Sequence, residues 1–392
     1  MTGTPVRRAD AVVIGGGVVG TCIAGFLAEA GMAVTVLDAG HAAGSTSNAG
    51  SLHVQMQSRF MRLYPDRVAG LEAQLPLYPL AVRFWADFGA RLGLDFELKL
   101  TGGLMVAETP DQLAFLETKA ARERELGLDV EILGSDAVRQ LAPYLGPAIV
   151  GAELCRNEGK LNPLAANAGL AGWTRRLGVA WQRGVMVTGI APDGDGYVVD
   201  SSAGPLSCRH VVIAAGWDSG RLAAPFGLAI PSVAEPLNIA ITEPAQPLIG
   251  HLVQHADRMI TLKQLAAGQV VIGGGWPARP GDGSAVPGLE LDSLVASASL
   301  AQHVVPALGQ LRIIRCWAGN NTVVDGRGVL GGVAGWPGLA VAIPGDAGYT
   351  LGPLAARMVA DDILGRASIA DITGFRPERF NVALVAQAVQ QR

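Results

Sequence analysis

The chain is poor in cysteine and in charge and lacks long uncharged apolar runs, and each shortage removes a class of protein. Only four cysteines occur in 392 residues, Cys22, Cys155, Cys208 and Cys316. They lie far apart with no Cys-x-x-Cys, so no zinc or iron–sulfur site made by this chain alone is expected and no metal ligand is assigned. Reduced thiols in a cytoplasmic protein are the simpler reading. Charged residues make up 16% and the net charge is -4, which leaves no electrostatic footprint for nucleic acid or anionic lipid. No uncharged apolar run reaches the ~18 residues of a membrane span. The best candidate, residues 331–344, is interrupted by Gly335, Pro337 and Gly338. Arg7 and Arg8 precede an apolar stretch, as in a twin-arginine export signal, but that stretch runs at once into glycines and an amphipathic helix, so it reads as a folded first strand.

What the chain has is apolar residues (49%) and 52 glycines, enough for a large core in two or three units of roughly 150 residues. The glycines cluster at the ends of β-branched runs, where a chain turns tightly or approaches a ligand. Residues 11–14 and 34–37 read as strands. Between them Val19, Ile23, Phe26, Leu27 and Ala30 share one helical stripe, giving a βαβ unit with a parallel strand pair. Residues 209–215 form another strand, closed by Gly216. Residues 339–343 form a third, followed by Pro344, Gly345 and a predicted helix over 350–364 that ends at Gly365. The middle of the chain holds strand-like runs at 103–107, 259–262, 269–272 and 312–317, with helices predicted over 112–126 and 291–305. The expected fold is α/β: a Rossmann-like domain, a parallel sheet with helices, interrupted by a second α+β domain with a largely antiparallel sheet.

AVVIGGGVVG places Gly15, Gly17 and Gly20 as G-x-G-x-x-G after a strand and before a helix, and Asp38 ends the next strand. Gly15 permits the sharp turn, Gly17 the approach of a pyrophosphate, and Gly20 close helix–strand packing, while Asp38 can accept from ribose hydroxyls. The helix N-terminus offers free N–H groups to the phosphate charge. A structural glycine turn is the rival reading, and context weighs against it. The motif alone does not separate NAD from FAD. The small-residue loop after Asp38, with Ser45, Thr46, Ser47, Asn48 and Gly50, suits a second pass of backbone along a pyrophosphate and ribityl chain.

STSNAGS, TGGLMVA (101–107), EGKLNPLA (158–165), VVIAAGWDS (211–219), CWAGNNTVVDGRGVLGG (316–332) and AIPGDAGYTLGPLA (342–355) follow in order. Together with the glycine motif they resemble the D-amino-acid oxidase-like flavoproteins, which include glycine and sarcosine oxidases, over nearly the whole chain. The stretch from SNAGSLHVQMQSRF onward is similar to the catalytic β subunits of opine oxidases, of octopine or nopaline type, and of cyanide-forming glycine dehydrogenases. The resemblance implies FAD lined by Gly15, Gly17, Val19, Gly20, Asp38, Ala39, Thr46, Ser47, Asn48, Gly50 and Ser51. Val185, taken to open the strand after Gly184, would hold the adenine through its backbone. Ala215, Gly216 and Trp217 match a second glycine turn, and Gly348, Tyr349 and Thr350 the loop at the flavin pyrimidine edge. A helix starting near Thr350 would independently stabilise negative charge on reduced flavin. The domains implied are a discontinuous FAD-binding domain at 1–95, 149–224 and 323–392, and a substrate domain at 96–148 and 225–322.

The chemistry implied is hydride transfer from a substrate Cα–H to flavin N5, giving an imine that water hydrolyses. For an opine the products would be an amino acid and a 2-oxo acid. One departure stands out: where amino-acid-oxidising relatives often place a carboxylate-binding arginine, this chain has Asn320, Asn321 and Thr322, which cannot supply that charge. Lys263, Arg59 and Arg327 are the substitute cations, each also readable as a surface charge. His53 could face the flavin, and His251 and His255 lie on a stretch expected to border the substrate site, although a histidine satisfied by the backbone is the commoner case. The catalytic candidates are therefore His53, Lys263 and Asn320. Cys316 raises a covalent flavin tether, with a buried inert thiol the favoured alternative. Four roles stay open: a dehydrogenase subunit with electron-transferring partner chains (flavin or iron–sulfur), a stand-alone oxidase forming peroxide, a non-catalytic flavin-holding assembly subunit, and a nicotinamide enzyme, disfavoured by the late motifs. The substrate is a small amino acid or opine in each catalytic reading.

Overall fold

The computed structural model describes residues 7–41, 44–281, 286–345 and 347–382. Ala42 and Ala43 of the small-residue loop, Asp346 of the late glycine motif and the expected domain's last residues, 383–392, lie outside them. The chain divides into two compact units: Met1–Ser45, Asn167–Ala234 and Thr322–Arg392 form the first, Thr46–Ala166 and Glu235–Asn321 the second.

The first unit is built on Arg7–Ile14, which pairs in parallel with Val34–Asp38 on one side and Leu206–Ile213 on the other. The sheet continues in parallel to Ala180–Arg183 and to Trp336–Ile343. Val329–Val333 closes one edge antiparallel, and the hairpin of Val187–Asp193 with Gly196–Ser201 joins Leu206–Ile213. Parallel sheets are covered on both faces and read as unbroken apolar runs. Val12 and Ile14 belong to the buried cluster on one face with Val211, Ile213 and Val341. Val13 points the other way, its Cγ1 3.2 Å from where a Cβ on Gly20 would lie. Each such Val or Ile stabilises the fold by roughly 1.5–3 kcal/mol.

Helix Val18–Glu29 departs from the expected amphipathic stripe, since every residue from Val18 to Leu27 is buried. The reason is a second partner. The C-terminal helix Gly348–Ile363 packs on it so closely that a Cβ at Gly352 would stand 2.8 Å from Val18 Cγ1.

The second unit carries an eight-stranded sheet in the order Ile313–Val323, Val233–Pro244, Gln269–Gly273, Thr261–Gln264, Leu252–His255, Gly103–Ala107, Gly151–Cys155, Val130–Gly134. Among the pairings described, only Leu252–His255 with Gly103–Ala107 is parallel. The predicted strand over 103–107 matches residue for residue, and that over 259–262 begins two residues too early. Helices Pro110–Glu125 and Leu291–Val304 occupy the predicted places. The compact units divide the chain differently from the expected domains: residues 46–95 and 149–166 fall in the second unit, and 225–234 and 322 in the first. For 149–166 the reason is that Gly151–Cys155 is hydrogen-bonded between Gly103–Ala107 and Val130–Gly134. Among the described residues no helix is long and apolar enough to cross a membrane, and no group of three or more His, Cys, Asp and Glu could hold a metal.

Candidate cofactor and active site

In the first unit, strand Arg7–Ile14 ends in a turn that only glycine permits. Gly15 has φ +107°, its N–H donates to Leu37 O at 2.8 Å, and a Cβ there would fall 2.3 Å from Ala214 O. A Cβ at Gly20 would fall 2.0 Å from Gly15 O, so the helix can approach the strand only without one. The helix begins at Gly17 with no acidic residue and no cap from its own N-terminal residue. Its Val18 N–H donates to Ser45 Oγ at 2.9 Å, leaving a positively polarised end suited to a pyrophosphate. Asp38, half-buried at the end of its strand, accepts from Gly16 N at 3.2 Å. These residues fit the phosphate and ribose of a dinucleotide.

Val185 does not open a strand. It lies in the link between Ala180–Arg183 and Val187–Asp193, and its N–H donates to Asp38 O at 3.0 Å. Ala215, Gly216 and Trp217 follow Leu206–Ile213, with Gly216 at φ +59°, and the Trp217 ring stacks on His41 with centroids 5.8 Å apart. Helix Gly348–Ile363 starts two residues before the predicted Thr350, after Ala347 in the left-handed region at φ 51°, again with no side-chain cap and no acid in its first turn. Tyr349 Oη donates to Asn167 Oδ1 at 3.0 Å, and Asn167 Nδ2 to Ser45 O at 2.9 Å. One short chain of hydrogen bonds thus ties the starts of the two helices. The sequence does not single out Ser45 and Asn167 for this; nothing local marks Asn167, which sits inside a helix far along the chain from both partners.

In the second unit the loop from Thr46 to Ser51 is clamped from several sides. Asn48 Oδ1 accepts from Gly50 N at 2.6 Å, Trp317 Nε1 donates to Ser47 O at 2.9 Å, and Ser51–Leu52 pairs antiparallel with Gly159–Lys160. A Cβ at Gly319 would lie 2.2 Å from Ser47 Cβ, and one at Gly50 2.7 Å from Lys263 Nζ. The loop therefore comes together with two of the three catalytic candidates. Lys263 is fully buried, and its Nζ donates to Leu161 O at 3.0 Å. Burial, followed by the charge of Lys160, drives it well below the usual lysine range. Neither lysine has a carboxylate within ion-pair distance among the described residues; Lys160 Nζ donates to the carbonyls of Ile249 and Gly250.

His53 is half-buried, with Nδ1 shut from solvent and lacking a partner, as is Ser51 Oγ. Burial and the Lys263 charge hold His53 down at about 4, so it is neutral above that pH. Asn320 is buried on strand Ile313–Val323, while neighbouring Asn321 Nδ2 reaches Glu235 Oε2 at 3.2 Å. Arg59 is exposed and Arg327, in the first unit, half-buried. His251 Nδ1 meets Tyr144 Oη at 2.9 Å. His255 Nδ1 accepts from Asp257 N and Arg258 N, which commits that ring to its turn. Cys316 is partly rather than fully buried, against the apolar core of its sheet, and burial raises its thiol pKa. Least legible were Glu158, Lys119, Glu123 and Glu153, ionisable groups buried in this unit.

With an N-terminal glycine turn, an acid at the end of the second strand and two tied helix starts in one unit, the chain belongs to the DAO family of FAD-dependent oxidoreductases, whose family model matches residues 10–362. FAD is its cofactor. Among curated proteins it is similar to the B chain of opine oxidase from Rhizobium meliloti, 26% identical over 377 residues covering 95% of this chain and 98% of that one. It is also similar to glycine oxidase of Bacillus licheniformis, 28% identical over 395 residues with the same coverage. Among solved structures, glycine oxidase of Geobacillus kaustophilus shares the fold at TM-score 0.82 and 23% identity, over 95% of this chain and 99% of that chain.

Proposed function

We propose that the protein oxidises an amino acid or a secondary-amine acid of opine type, as the catalytic β-type subunit of a hetero-oligomeric dehydrogenase. The observation that carries this reading is the pair of helix starts at Val18 and Gly348, neither with an acid in its first turn, tied through Ser45, Asn167 and Tyr349. The first suits a pyrophosphate, and the second suits an aromatic ring system that gains negative charge on reduction. In this reading the first unit is the FAD-binding domain and the second the substrate domain.

FAD, when bound, supplies the acceptor for the hydride leaving the substrate Cα–H. The chain's own residues orient and select. Neutral His53 accepts a hydrogen bond at the amine without adding charge. Lys263, desolvated and facing no carboxylate, gains most from an arriving one, because an opposite charge restores the ammonium. Asn320 adds an amide contact in place of an arginine clamp. The imine formed then hydrolyses to an amine and a 2-oxo acid. Relatives whose names make them one chain of a multi-chain opine oxidase or sarcosine oxidase support partner chains that take the electrons onward. Four free cysteines support a cytoplasmic location. The glycine oxidases, matched over nearly their full length, favour a second reading, a stand-alone oxidase that releases peroxide.

The test is anaerobic. The purified yellow protein is mixed in turn with an opine, sarcosine, proline and glycine, and flavin bleaching is followed. Bleaching by the opine, with dye reduction and little peroxide in air, is the expected result. Peroxide release with glycine selects the second reading, and no bleaching by any amine, with partner chains added, overturns both.

A further inference from the structure

We propose that Glu158 is a positioning residue of the second unit: its buried carboxylate grips the main chain of the segment from His53 to Gln57 and so fixes where His53 stands. The inference rests on the reading above, in which His53 borders the substrate, and deepens it by naming what holds that residue.

Residues 53–57 form neither helix nor strand, yet Val54, Gln55 and Met56 are buried. Buried N–H groups require acceptors, and no adjoining strand supplies them here. Glu158 does. Its Oε1 accepts from Val54 N at 2.8 Å and Gln55 N at 3.1 Å, and its Oε2 from Gln55 Nε2 at 3.0 Å. Gln254 Nε2 donates to both oxygens, at 3.3 and 3.0 Å, and its own Oε1 receives Gln57 Nε2. Glu123 Oε1 takes the N–H of Met56. A carboxylate, acceptor at every lone pair, is the group that suits such a ring of donors.

Gly103 supplies a separate observation. It lies in a strand with no left-handed φ, so conformational freedom does not explain it. Space does: a Cβ there would stand 1.7 Å from Glu158 Oε2. The glycine leaves room for the carboxylate.

Ionisable groups that interact with Glu158 include Lys119, from helix Pro110–Glu125, and Cys155, from strand Gly151–Cys155, and Glu123, also from helix Pro110–Glu125, sits on the same gripped segment. Beyond them, Lys119 Nζ meets Glu123 Oε1 at 2.9 Å and Glu153 Oε2 at 2.8 Å. Buried clusters of this kind are weak contributors to stability, whereas holding a polar main-chain segment needs them. Burial, opposed by the Val54 and Gln55 donors, pushes Glu158 up to about 7. A protonated oxygen no longer accepts from all of its donors, so the grip is complete only above that pH.

Three variants and two readouts test this. Glu158→Gln places an NH2 among donors, Gly103→Ala displaces an intact carboxylate, and Glu158→Asp is the conservative control. The readouts are anaerobic bleaching by an amine that reduces the wild type, and hydrogen exchange at the amides of residues 54–56, corrected for intrinsic rates. Glu158→Gln and Gly103→Ala are expected to retain flavin, to bleach about ten- to hundredfold more slowly, to exchange faster at 54–56 and to lose the inflection near pH 7, with partial recovery in Glu158→Asp. A folded Glu158→Gln that bleaches at the wild-type rate with the wild-type pH profile overturns the proposal, as does loss of its flavin, which would place Glu158 with the cofactor. Should the variants not fold, wild-type exchange decides alone: protection at 54–56 that is equal below and above pH 7 refutes the grip. If no amine bleaches the wild type, the functional reading fails, and exchange still decides for or against Glu158.

Discussion

The two compact units handle polarity in opposite ways. Among the described residues of the first, Asp361 is the one acidic or basic side chain that is buried, whereas the second buries Lys119, Glu123, Glu153, Glu158, Lys160, His255 and Lys263. The candidate site of the first is mostly main chain, a turn at Gly15 and two helix starts tied by neutral side chains, with Asp38 as its one carboxylate. The candidate site of the second is built from polar and ionisable side chains, His53, Lys263 and Asn320, that lie far apart along the chain. A cofactor that is always the same can be held by fixed backbone dipoles, which cost no ionic desolvation. Substrate selection needs groups that differ in charge, and these must be buried at a cost and kept in place by other buried groups.

That contrast can be broken at several points. The largest effect belongs to Gly15→Ala, which puts a Cβ 2.3 Å from Ala214 O at φ +107°. Its flavin content, read as absorbance per chain, should fall below about a tenth of wild type while the second unit stays folded. Full flavin retention would mean that the main-chain turn is not what holds the cofactor. Next is Lys119→Met, which strands Glu123 and Glu153 without their buried cation and should cost about 3–5 kcal/mol in chemical denaturation. A neutral result would show that the second unit tolerates its acids unpaired.

A comparable or smaller effect is set by pH. Glu158 titrates at about 7 when folded against an ordinary 4.5, so between those values the folded chain keeps a proton that the unfolded chain has released. Its contribution to stability is full below about 4.5 and is lost as pH rises through about 7, on the order of 3 kcal/mol. Glu158→Gln should flatten that decline. Stability and bleaching rate should thus change in opposite directions over one window, and parallel changes would contradict the assignment. The smallest effect is Ser45→Ala in the first unit, the loss of one helix-start acceptor at Val18 N. About 1 kcal/mol is expected in a thermal melt, with substrate bleaching spared.

The same contrast explains what the residues alone reveal. Gly15, Gly20, Asp38 and the helix at Gly348 were legible because each task is local: a turn, a close approach, a strand end or a helix start forces a residue type at a fixed spacing. Strands 103–107 and 269–272 were legible from their unbroken apolar character. Glu158 was not, since in EGKLNPLA it is one acid among many; its meaning comes from Val54 and Gln55, over a hundred positions earlier, and from a glycine on another strand. Asn167 was hidden for the same reason. The place of Gly151–Cys155 in the second unit was hidden too, because that strand looks like any apolar one until its partners, Gly103–Ala107 and Val130–Gly134, are known. Cys316 looked buried because its strand is apolar, yet the start of that strand, Ile313 to Arg315, is exposed.

The most direct test of a division between cofactor holding and substrate selection is Lys263→Met, which removes a charge-bearing group of similar length from the second unit. The expected result is a yellow protein with wild-type flavin content whose anaerobic bleaching by the amine slows about a hundredfold. Wild-type bleaching, or a colourless protein, would contradict it.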